Sequence, residues 1–524
     1  MKEKLPLAGQ RIVVTAYDLE QSEHRGIAVF SKATIRALHA LGAEIWLLTE
    51  FDDELDASGL RKLPENTRSI IRSARILDAL VQGERGPTRH WVDYKLPFIR
   101  KLFHLVRQLD DALEFVRRPR HFKHKKLKLI AFDELQDNPY LRHERLEYLR
   151  YCKGLICAKR IYFATQVAAL MKRQRPVTID LRGFDAFLSC CPLNIKPLNT
   201  RVFTQTVHDV IPLEYALTSD NTLGFSHRLQ ACMPSRRLFV SRSTAQKFTH
   251  RVAQYRPTNQ AEGVLIQPPS LQFPRWILED PEQCLDLEPV SYLLRPDQQD
   301  NKPLELSDER SSAQIAISTL PKHGRNRKRL TPSKRLQPFR YFLFNSSVEA
   351  RKNLLFLTRS FIESGLSQQG IKLCVTGKLK KDNYSQEVKK LVANEPNIVL
   401  TGYIDESTKL DLYLNAMGLL SPSLVEGFGI PVLDGACLGV PTIASDCDSH
   451  LEIQTLHDFK DYVIPVNILE SRDWAAAMQS IAGLGAHHLL NDAKERRRRI
   501  CRYEHYSSQV IKQYQQDLAK LMQP

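Results

Sequence analysis

The 524-residue sequence has no apolar run approaching the roughly 18 residues a membrane-spanning helix needs, and charge and proline occupy its first ten residues. Neither a membrane span nor a signal peptide is expected. Ten cysteines are too sparse for a disulfide scaffold, and none form a C-x-x-C pair, although Cys190 and Cys191 are adjacent. A reducing cytoplasm is the expected compartment. Acidic residues are in deficit: 59 Asp and Glu against 75 Lys and Arg leave a net charge of +16. Such an excess favours an anionic partner: nucleic acid, an acidic membrane surface or a phosphorylated small molecule. With 43% hydrophobic and 26% charged residues, the composition is globular rather than fibrous or disordered. At about 150 residues per domain, two or three domains are expected.

The first fifty residues read as strand, loop, helix, strand. Arg11 to Ala16 is a β-branched run, Ile27 to Leu41 repeats at helical spacing, Gly42 suits a helix end, and Glu44 to Leu48 is the next strand. This is the opening of a doubly wound α/β domain. Residues 51 to about 180 read as a basic, mostly helical insertion. Between Arg100 and Lys128 ten Lys and Arg face three acids. That run is either a solvated helical face or a surface for an anionic lipid headgroup or lipid-linked acceptor. It has few interleaved aromatics and no recognition motif, so a specific nucleic acid is not expected. Strands return at Arg201 to Pro212, Leu238 to Val240 and Val264 to Gln267, with Ser241 as the N-cap of a helix.

From Glu279 to Arg310 ten acids stand against three bases, and from Thr319 to Pro338 seven bases stand with no acid. Segments this polar bury too little apolar surface to offset chain entropy, so residues 276–338 are expected to be a disordered, charge-segregated linker. A second alternating α/β pattern starts at Tyr341 and continues through Ile371 to Thr376, Ile398 to Thr401, Gly418 to Ser421 and Thr442 to Ser445.

The chemistry concentrates in Ser421 to Asp446. After a short strand, Glu426-Gly427-Phe428-Gly429 forms a glycine-rich turn, Pro431 suits the first helical turn, and Gly439 with Pro441 ends the helix. Amides exposed at such a helix N-terminus suit a phosphate, and glycines let the backbone approach it. Glu426 can accept hydrogen bonds from sugar hydroxyls. Asp434, read as lying in the first turn of that helix, can do the same for a ribose. Alone, Arg351-Lys352 is a solvated basic pair and His208-Asp209 a satisfied strand end. Asp446-Cys447-Asp448 spells D-x-D but follows a strand in the wrong setting for a metal and reads as a loop. His121 and His124 have no acid or cysteine beside them, so no metal site is expected. Gly377-Lys378 lacks the spacing of a phosphate loop.

The Glu426 segment resembles the donor-binding motif of the retaining, GT-B-fold glycosyltransferases of family four, the group 1 glycosyltransferases. The family pattern is Glu, seven residues, Glu, with E-G-F-G-x-P-x-L-E-A in the middle; here Asp434 and Gly435 replace the second Glu and the Ala. The stretch from Asn345 to Asn353 resembles G-x-L-E-P-R-K-N, which implies that Arg351 and Lys352 grip the donor diphosphate. Asn345 takes the place of a glycine, and asparagine tolerates a left-handed turn. By the same resemblance Gly377, Gly402 and Tyr403 border the nucleotide base, and Gly26 opens the first helix near the phosphates. Thr206-Val207-His208-Asp209 is similar to the T-V-H-D of the acceptor side. His208 and Glu426 are the implied catalytic residues, with Gly427, Phe428, Gly429 and Asp434 on the donor and Asp209 on the acceptor side.

The expected fold is α/β and GT-B-like: two Rossmann-type doubly wound domains facing a cleft. The expected boundaries are 1–275 for the acceptor-side domain, 276–338 for the linker, 339–500 for the nucleotide-sugar domain and 501–524 for a helix crossing back to the first domain. The implied activity is retaining hexosyl transfer, of the mannose type, from a nucleotide-diphosphate sugar to a glycan or lipid-linked acceptor in polysaccharide biosynthesis. No cofactor or metal is expected, and the place of work is the cytoplasm or the cytoplasmic face of a membrane, touched through residues 100–128. The alternative is a non-catalytic glycosyltransferase-like scaffold or an anionic-polymer-binding protein.

Overall fold

The computed structural model describes residues 5–21, 26–51, 64–83, 109, 113, 121–132, 139–171, 175–215, 221–252, 262–273, 340–377, 379–380, 382–402, 404, 406–483 and 493–523. The linker 276–338, Tyr403 and most of the basic stretch 100–128 lie outside the described residues. The chain divides into two compact units, one made of Met1–Glu214, Thr218–Pro268 and Ile511–Pro524, the other of Tyr215–Leu217 and Pro269–Val510.

The first unit carries β1 (Arg11–Thr15), β2 (Glu44–Thr49), β3 (His121–Phe122), β4 (Lys128–Ala131), β5 (Gly154–Cys157), β6 (Val177–Asp180), β7 (Ala186–Ser189), β8 (Ile195–Leu198), β9 (Val202–Val207), β10 (Arg236–Phe239) and β11 (Glu262–Val264). Eight of them form one sheet in the order β11-β10-β9-β7-β1-β2-β5-β4, and β3-β6-β8 form a small second sheet. Every described pair in this unit is parallel except β4 with β5. The central strands are buried on both faces, which is why they read as continuous apolar runs rather than alternating ones. Ser241 caps the helix Arg242–Arg251 as its position suggests, its hydroxyl accepting from Thr244 N at 3.0 Å.

Residues 51–180 differ from the mostly helical insertion expected. The helix Glu65–Gln82 is there, but β5 joins the main sheet beside β2, and Tyr162 is fully buried against it. The four residues of β5 are too few to show a period of their own; the strand is selected by its partner.

The second unit holds β12 (Tyr341–Asn345), β13 (Lys372–Thr376), β14 (Ile398–Gly402), β15 (Gly418–Ser421), β16 (Thr442–Ser445) and β17 (Val463–Val466) in one all-parallel sheet of order β14-β13-β12-β15-β16-β17. Phe342, Phe344, Leu354, Phe361, Leu373 and Trp474 fill its core. Two doubly wound α/β units are thus present.

The last helix, Ala493–Met522, begins before residue 501. In the second unit Arg499 donates to Leu414 O and Ala416 O at 3.1 and 2.8 Å, capping the carbonyl end of the helix Glu406–Asn415, and Arg496 pairs with Asp411. Both arginines are 1% exposed and face the interior, whereas Arg497 and Arg498 between them are exposed. Residues 511–523 belong to the first unit, where Tyr514 meets Thr34 Oγ1 at 2.7 Å and Arg236 Nη1 donates to Leu521 O at 2.9 Å. Residues 269–273 belong to the second unit rather than to a first domain ending at 275.

Gly435 is explained by packing. A Cβ there would lie 2.5 Å from Thr442 Oγ1, a buried β-branched side chain that cannot swing away. Gly435→Ala, which restores the motif's alanine, is expected to cost about 1–3 kcal/mol through overpacking, read as a lower urea midpoint at unchanged slope.

Candidate functional site

β12 ends at Asn345, and the chain turns through a single 3₁₀ turn, Ala350–Lys352, before the helix Leu354–Glu363. The left-handed residue that makes this possible is Asn353, at φ 55°. Asn345, expected to occupy such a turn, instead closes the strand without positive φ, its side chain accepting from Thr376 Oγ1 at 2.7 Å and donating to Tyr413 Oη at 2.9 Å. The turn aims Arg351 and Lys352 at the loop after β15, which is held to it by Leu424 N donating to Arg351 O at 2.8 Å.

Glu426 sits where these elements converge. Its carboxylate pairs with Lys352, lies 3.3 Å from Arg351 Nη1 and accepts from Ser423 Oγ at 2.8 Å. Arg351 also binds Glu349 at 3.1 Å, and Glu349 binds Lys380 at 2.7 Å, so three cations surround two carboxylates. Burial opposes the charge on Glu426, but Lys352, then Arg351 and His450, hold its carboxyl down at about 2. Burial likewise pushes the Lys352 ammonium below its ordinary range, with Glu426 opposing. Desolvation and attraction therefore largely offset each other in the intact pair, whereas either partner alone would be a buried uncompensated charge.

The glycine-rich turn follows directly. Gly429, at φ 104°, is the N-cap of the helix Ile430–Leu438, with Pro431 in its first turn. A Cβ on Gly429 would stand 2.8 Å from His450 Cδ2. Phe428 is 4% exposed, so it anchors the turn from below. Ser449 Oγ donates to Glu426 O at 2.7 Å, and His450 contacts Ser445 Oγ at 3.1 Å, joining the loop after β16 to the turn. Gly377, at φ 128°, follows β13, and its amide donates to Gly402 O at 2.9 Å; a Cβ there would come within 2.0 Å of Ser346 O. Arg351, Lys352, Glu426 and the Gly427–Gly429 turn are thus one local cluster, bordered by Gly377 and Gly402 at the ends of their strands, while Tyr403 lies outside the described residues.

Gly26, His208 and Asp209 lie in the first unit. Gly26 is the exposed first residue of the helix Gly26–Ala40, and Asp209 Oδ1 accepts from Ile211 N at 3.1 Å, a local turn. His208 is 8% exposed, packs edge-on to Phe30 and lies with Nε2 2.7 Å from Cys190 O. A carbonyl can only accept, so Nε2 carries the proton and Nδ1 is the basic nitrogen. Burial pushes its pKa down to about 4, against the bond to Cys190, so the ring is neutral at pH 7.

Residues 340–483 match the family described as Glycosyl transferases group 1. These residues form a group 1 glycosyltransferase domain, and the chain that carries it is a transferase. No curated protein matches the sequence. Among solved structures the chain is similar to sucrose-phosphate synthase from Thermosynechococcus elongatus, at 13% identity and a TM-score of 0.49 over 97% of this chain and 98% of that one. It is also similar to Anabaena HepE in complex with UDP, at 10% identity and 0.44 over 98% of both. An E. coli trehalose-6-phosphate structure bound with UDP-2-fluoro glucose gives 10% and 0.46 over 98% and 99%. Likenesses of that size leave the chemistry to be argued from this chain's own residues.

Within the glycosyltransferase domain, Asp434 is placed differently from its expected position. It is the fifth residue of the helix Ile430–Leu438, beyond the first turn, and 1% exposed. One oxygen accepts from Ser270 N at 2.6 Å and the other from Ser270 Oγ. Burial pushes its carboxyl up to about 6, with the two Ser270 bonds opposing. Asp446-Cys447-Asp448 is the lead-in to the short helix Asp448–Gln454, and among the described residues no group of three or more metal-ligating side chains gathers. Among the described residues no helix is long and apolar enough to cross a membrane. Residues not singled out from sequence also shape the cluster: Ser423, Glu349, Lys380 and His450. Ser423, three positions before Glu426, and Glu349, two before Arg351, lay close enough in sequence to be noticed.

Glu426→Gln leaves Lys352 buried without its counter-charge and is expected to cost about 3–5 kcal/mol, with Glu426→Gln/Lys352→Met costing less than the sum of the single changes; urea unfolding decides. Because its carboxyl lies below the ordinary 4.5, the stability it contributes is present above about pH 4.5 and is lost as pH falls toward about 2. His208 acts in a different window. Its folded pKa of about 4 lies below the ordinary 6.5, so the folded state binds fewer protons between them and stability rises with pH across that window. His208→Gln is expected to remove up to about 3 kcal/mol of that rise, seen as a flatter plot of unfolding free energy from pH 4 to 6.5.

Proposed function

We propose that the chain is a retaining glycosyltransferase that moves a hexose, of the mannose type, from a nucleotide-diphosphate sugar to a glycan or lipid-linked acceptor in polysaccharide biosynthesis. The observation that carries the reading is the buried convergence of Arg351, Lys352 and Glu426 beside the Gly427–Gly429 turn inside the matched domain. A diphosphate would draw on Arg351 and Lys352, which stabilise charge as it develops on the departing nucleotide diphosphate. Glu426, released from part of its pairing, would orient the sugar hydroxyls together with the amides of the turn. The bond from the anomeric carbon to the phosphate oxygen breaks, the bond to the acceptor oxygen forms, and the acceptor proton passes to the departing phosphate oxygen. That route needs no enzymic base and no metal, and it works by positioning and charge. Neutral His208 would contact the transferring sugar or the acceptor hydroxyl. Exposed Lys123, Lys125 and Lys126, the described part of the basic stretch, support peripheral contact with an anionic membrane surface at its cytoplasmic face, where a lipid-linked acceptor would lie.

The test is isothermal titration with GDP-mannose, UDP-glucose, UDP-N-acetylglucosamine and dTDP-rhamnose, on the wild type and on Glu426→Ala and Lys352→Ala. One donor is expected to bind saturably, and each folded variant to bind it at least tenfold more weakly. No binding of any donor by folded wild type would overturn the donor reading and favour a non-catalytic scaffold or anionic-polymer-binding protein.

A further inference from the structure

In the first unit the strand order reverses at β1. The chain steps from β1 to β2 on one side of it, and β7 later pairs with its other side. The crevice beyond the carboxyl ends of β1 and β7 is therefore the switch point of the sheet, where open parallel sheets take their ligands. Tyr17 and Asp18 follow β1, Cys190 and Cys191 follow β7, and Cys190 N donates to Thr15 Oγ1 at 3.0 Å, tying the second loop to the end of the first strand. His208 follows β9, the next strand in the sheet, and reaches the same loop through Cys190 O.

Asp18 is 9% exposed, and its Oδ2 is buried with no hydrogen-bond partner among the described residues. The Cys191 thiol, which burial keeps protonated, hydrogen-bonds the carboxylate and still leaves Oδ2 without a donor. Burial pushes the carboxyl up to about 7, against the Cys191 bond and the charge of Arg228 on the helix Thr222–Ala231. An acid withdrawn from water with an oxygen left over is costly unless another molecule supplies the missing proton donor. Tyr17, half-buried next to it in the chain, has its ring edge-on to Tyr162 with centroids 5.2 Å apart and its Oη accepting from Gln166 Nε2 at 2.8 Å. Burial pushes its pKa up to about 12, so the phenol keeps its proton and can donate it.

Charge decides what such a place accepts. Asp18, the deeper of the two charged groups, repels a phosphate, and Arg228 already opposes a second cation, both in surroundings of low dielectric. A neutral hydroxyl meets neither penalty and supplies the donor that Oδ2 lacks.

We propose that the first unit carries, at the carboxyl ends of β1 and β7, a subsite for an uncharged sugar of the acceptor, in which Asp18 Oδ2 accepts from a sugar hydroxyl and the Tyr17 hydroxyl donates to a neighbouring sugar oxygen. The proposal rests on the glycosyl-transfer reading above only in calling that sugar the acceptor. Asp18 binds and orients it and takes no proton in the transfer.

The full chain is titrated with methyl α-mannoside, methyl α-glucoside and methyl β-N-acetylglucosaminide, with mannose 6-phosphate and glucose 6-phosphate as charged counterparts, by saturation-transfer NMR and by thermal unfolding. At least one neutral glycoside is expected to bind saturably and to raise Tm, and both phosphates to bind more weakly than the corresponding glycosides. Asp18→Asn keeps the size of the side chain and removes its charge, and Tyr17→Phe removes only the hydroxyl; each is expected to weaken the glycoside about tenfold or more and to abolish its effect on Tm. If Asp18→Asn does not fold, Tyr17→Phe carries the test. Absence of glycoside binding by folded wild type would leave Oδ2 to a water and overturn the subsite. Binding unchanged in both variants would overturn it as well, as would a sugar phosphate that binds more tightly than its neutral counterpart and more tightly still in Asp18→Asn. Donor binding is measured separately on the wild type: a glycoside that binds where no nucleotide sugar does would keep the subsite and remove only its description as the acceptor's.

Discussion

The second unit is organised around a buried pair of opposite charges. Lys352 and Glu426 are each almost withdrawn from solvent, so neither can be there without the other, and the backbone must bring the turn after β12 to the loop after β15. Everything near them serves that requirement: Leu424 N on Arg351 O, Ser423 on the carboxylate, Ser449 on the Glu426 carbonyl. Such a pair contributes little net stability when intact, because desolvation offsets attraction. Its value lies in what an incoming anion would find, namely a desolvated Lys352 and a half-buried Arg351, both already aimed. Reorganisation that water would otherwise have to undergo is built in during folding.

The positions lacking a side chain are the other half of the arrangement. At Gly429 and Gly377 the backbone adopts left-handed angles and a neighbouring group occupies the space a Cβ would need. The same holds, without the angle, at Gly435. These three glycines therefore have three separate reasons, a helix start against His450, a strand exit against Ser346 and a helix interior against Thr442, although in sequence they look like one glycine-rich signature.

Much of the architecture was legible because doubly wound sheets bury both faces of their central strands. β1, β2, β12, β13, β15 and β16 announce themselves as apolar runs, and the helices between them by spacing and by Ser241, Gly42 and Gly439. β5 did not, since four residues beside a basic stretch carry no period and its strand character comes from pairing with β2. In the site, Glu426 with its glycines and the Arg351-Lys352 pair could be picked out because acids, bases and glycines interrupt otherwise apolar segments. The partners of Asp434 and Asn345 could not, because Ser270 and Tyr413 are set by tertiary packing 164 and 68 residues away. The roles of Arg496 and Arg499 are likewise not written in the sequence: in a run of four arginines these two are an interior ion-pair partner and a helix cap, set by Asp411 and by the carbonyls of Leu414 and Ala416.

One helix, Ala493–Met522, contributes its last turns to the first unit, where Tyr514, Leu518 and Met522 are almost fully buried and Tyr514 reaches Thr34. That unit is therefore discontinuous in time as well as in sequence. After Pro268 leaves the ribosome, 242 further residues must be made before Ile511 follows, a delay of roughly 10–50 s at about 5–20 residues per second. During that interval the groove that receives Tyr514 stays uncovered while the second unit is free to fold, so the usual vectorial order, first domain finished first, is reversed for this chain.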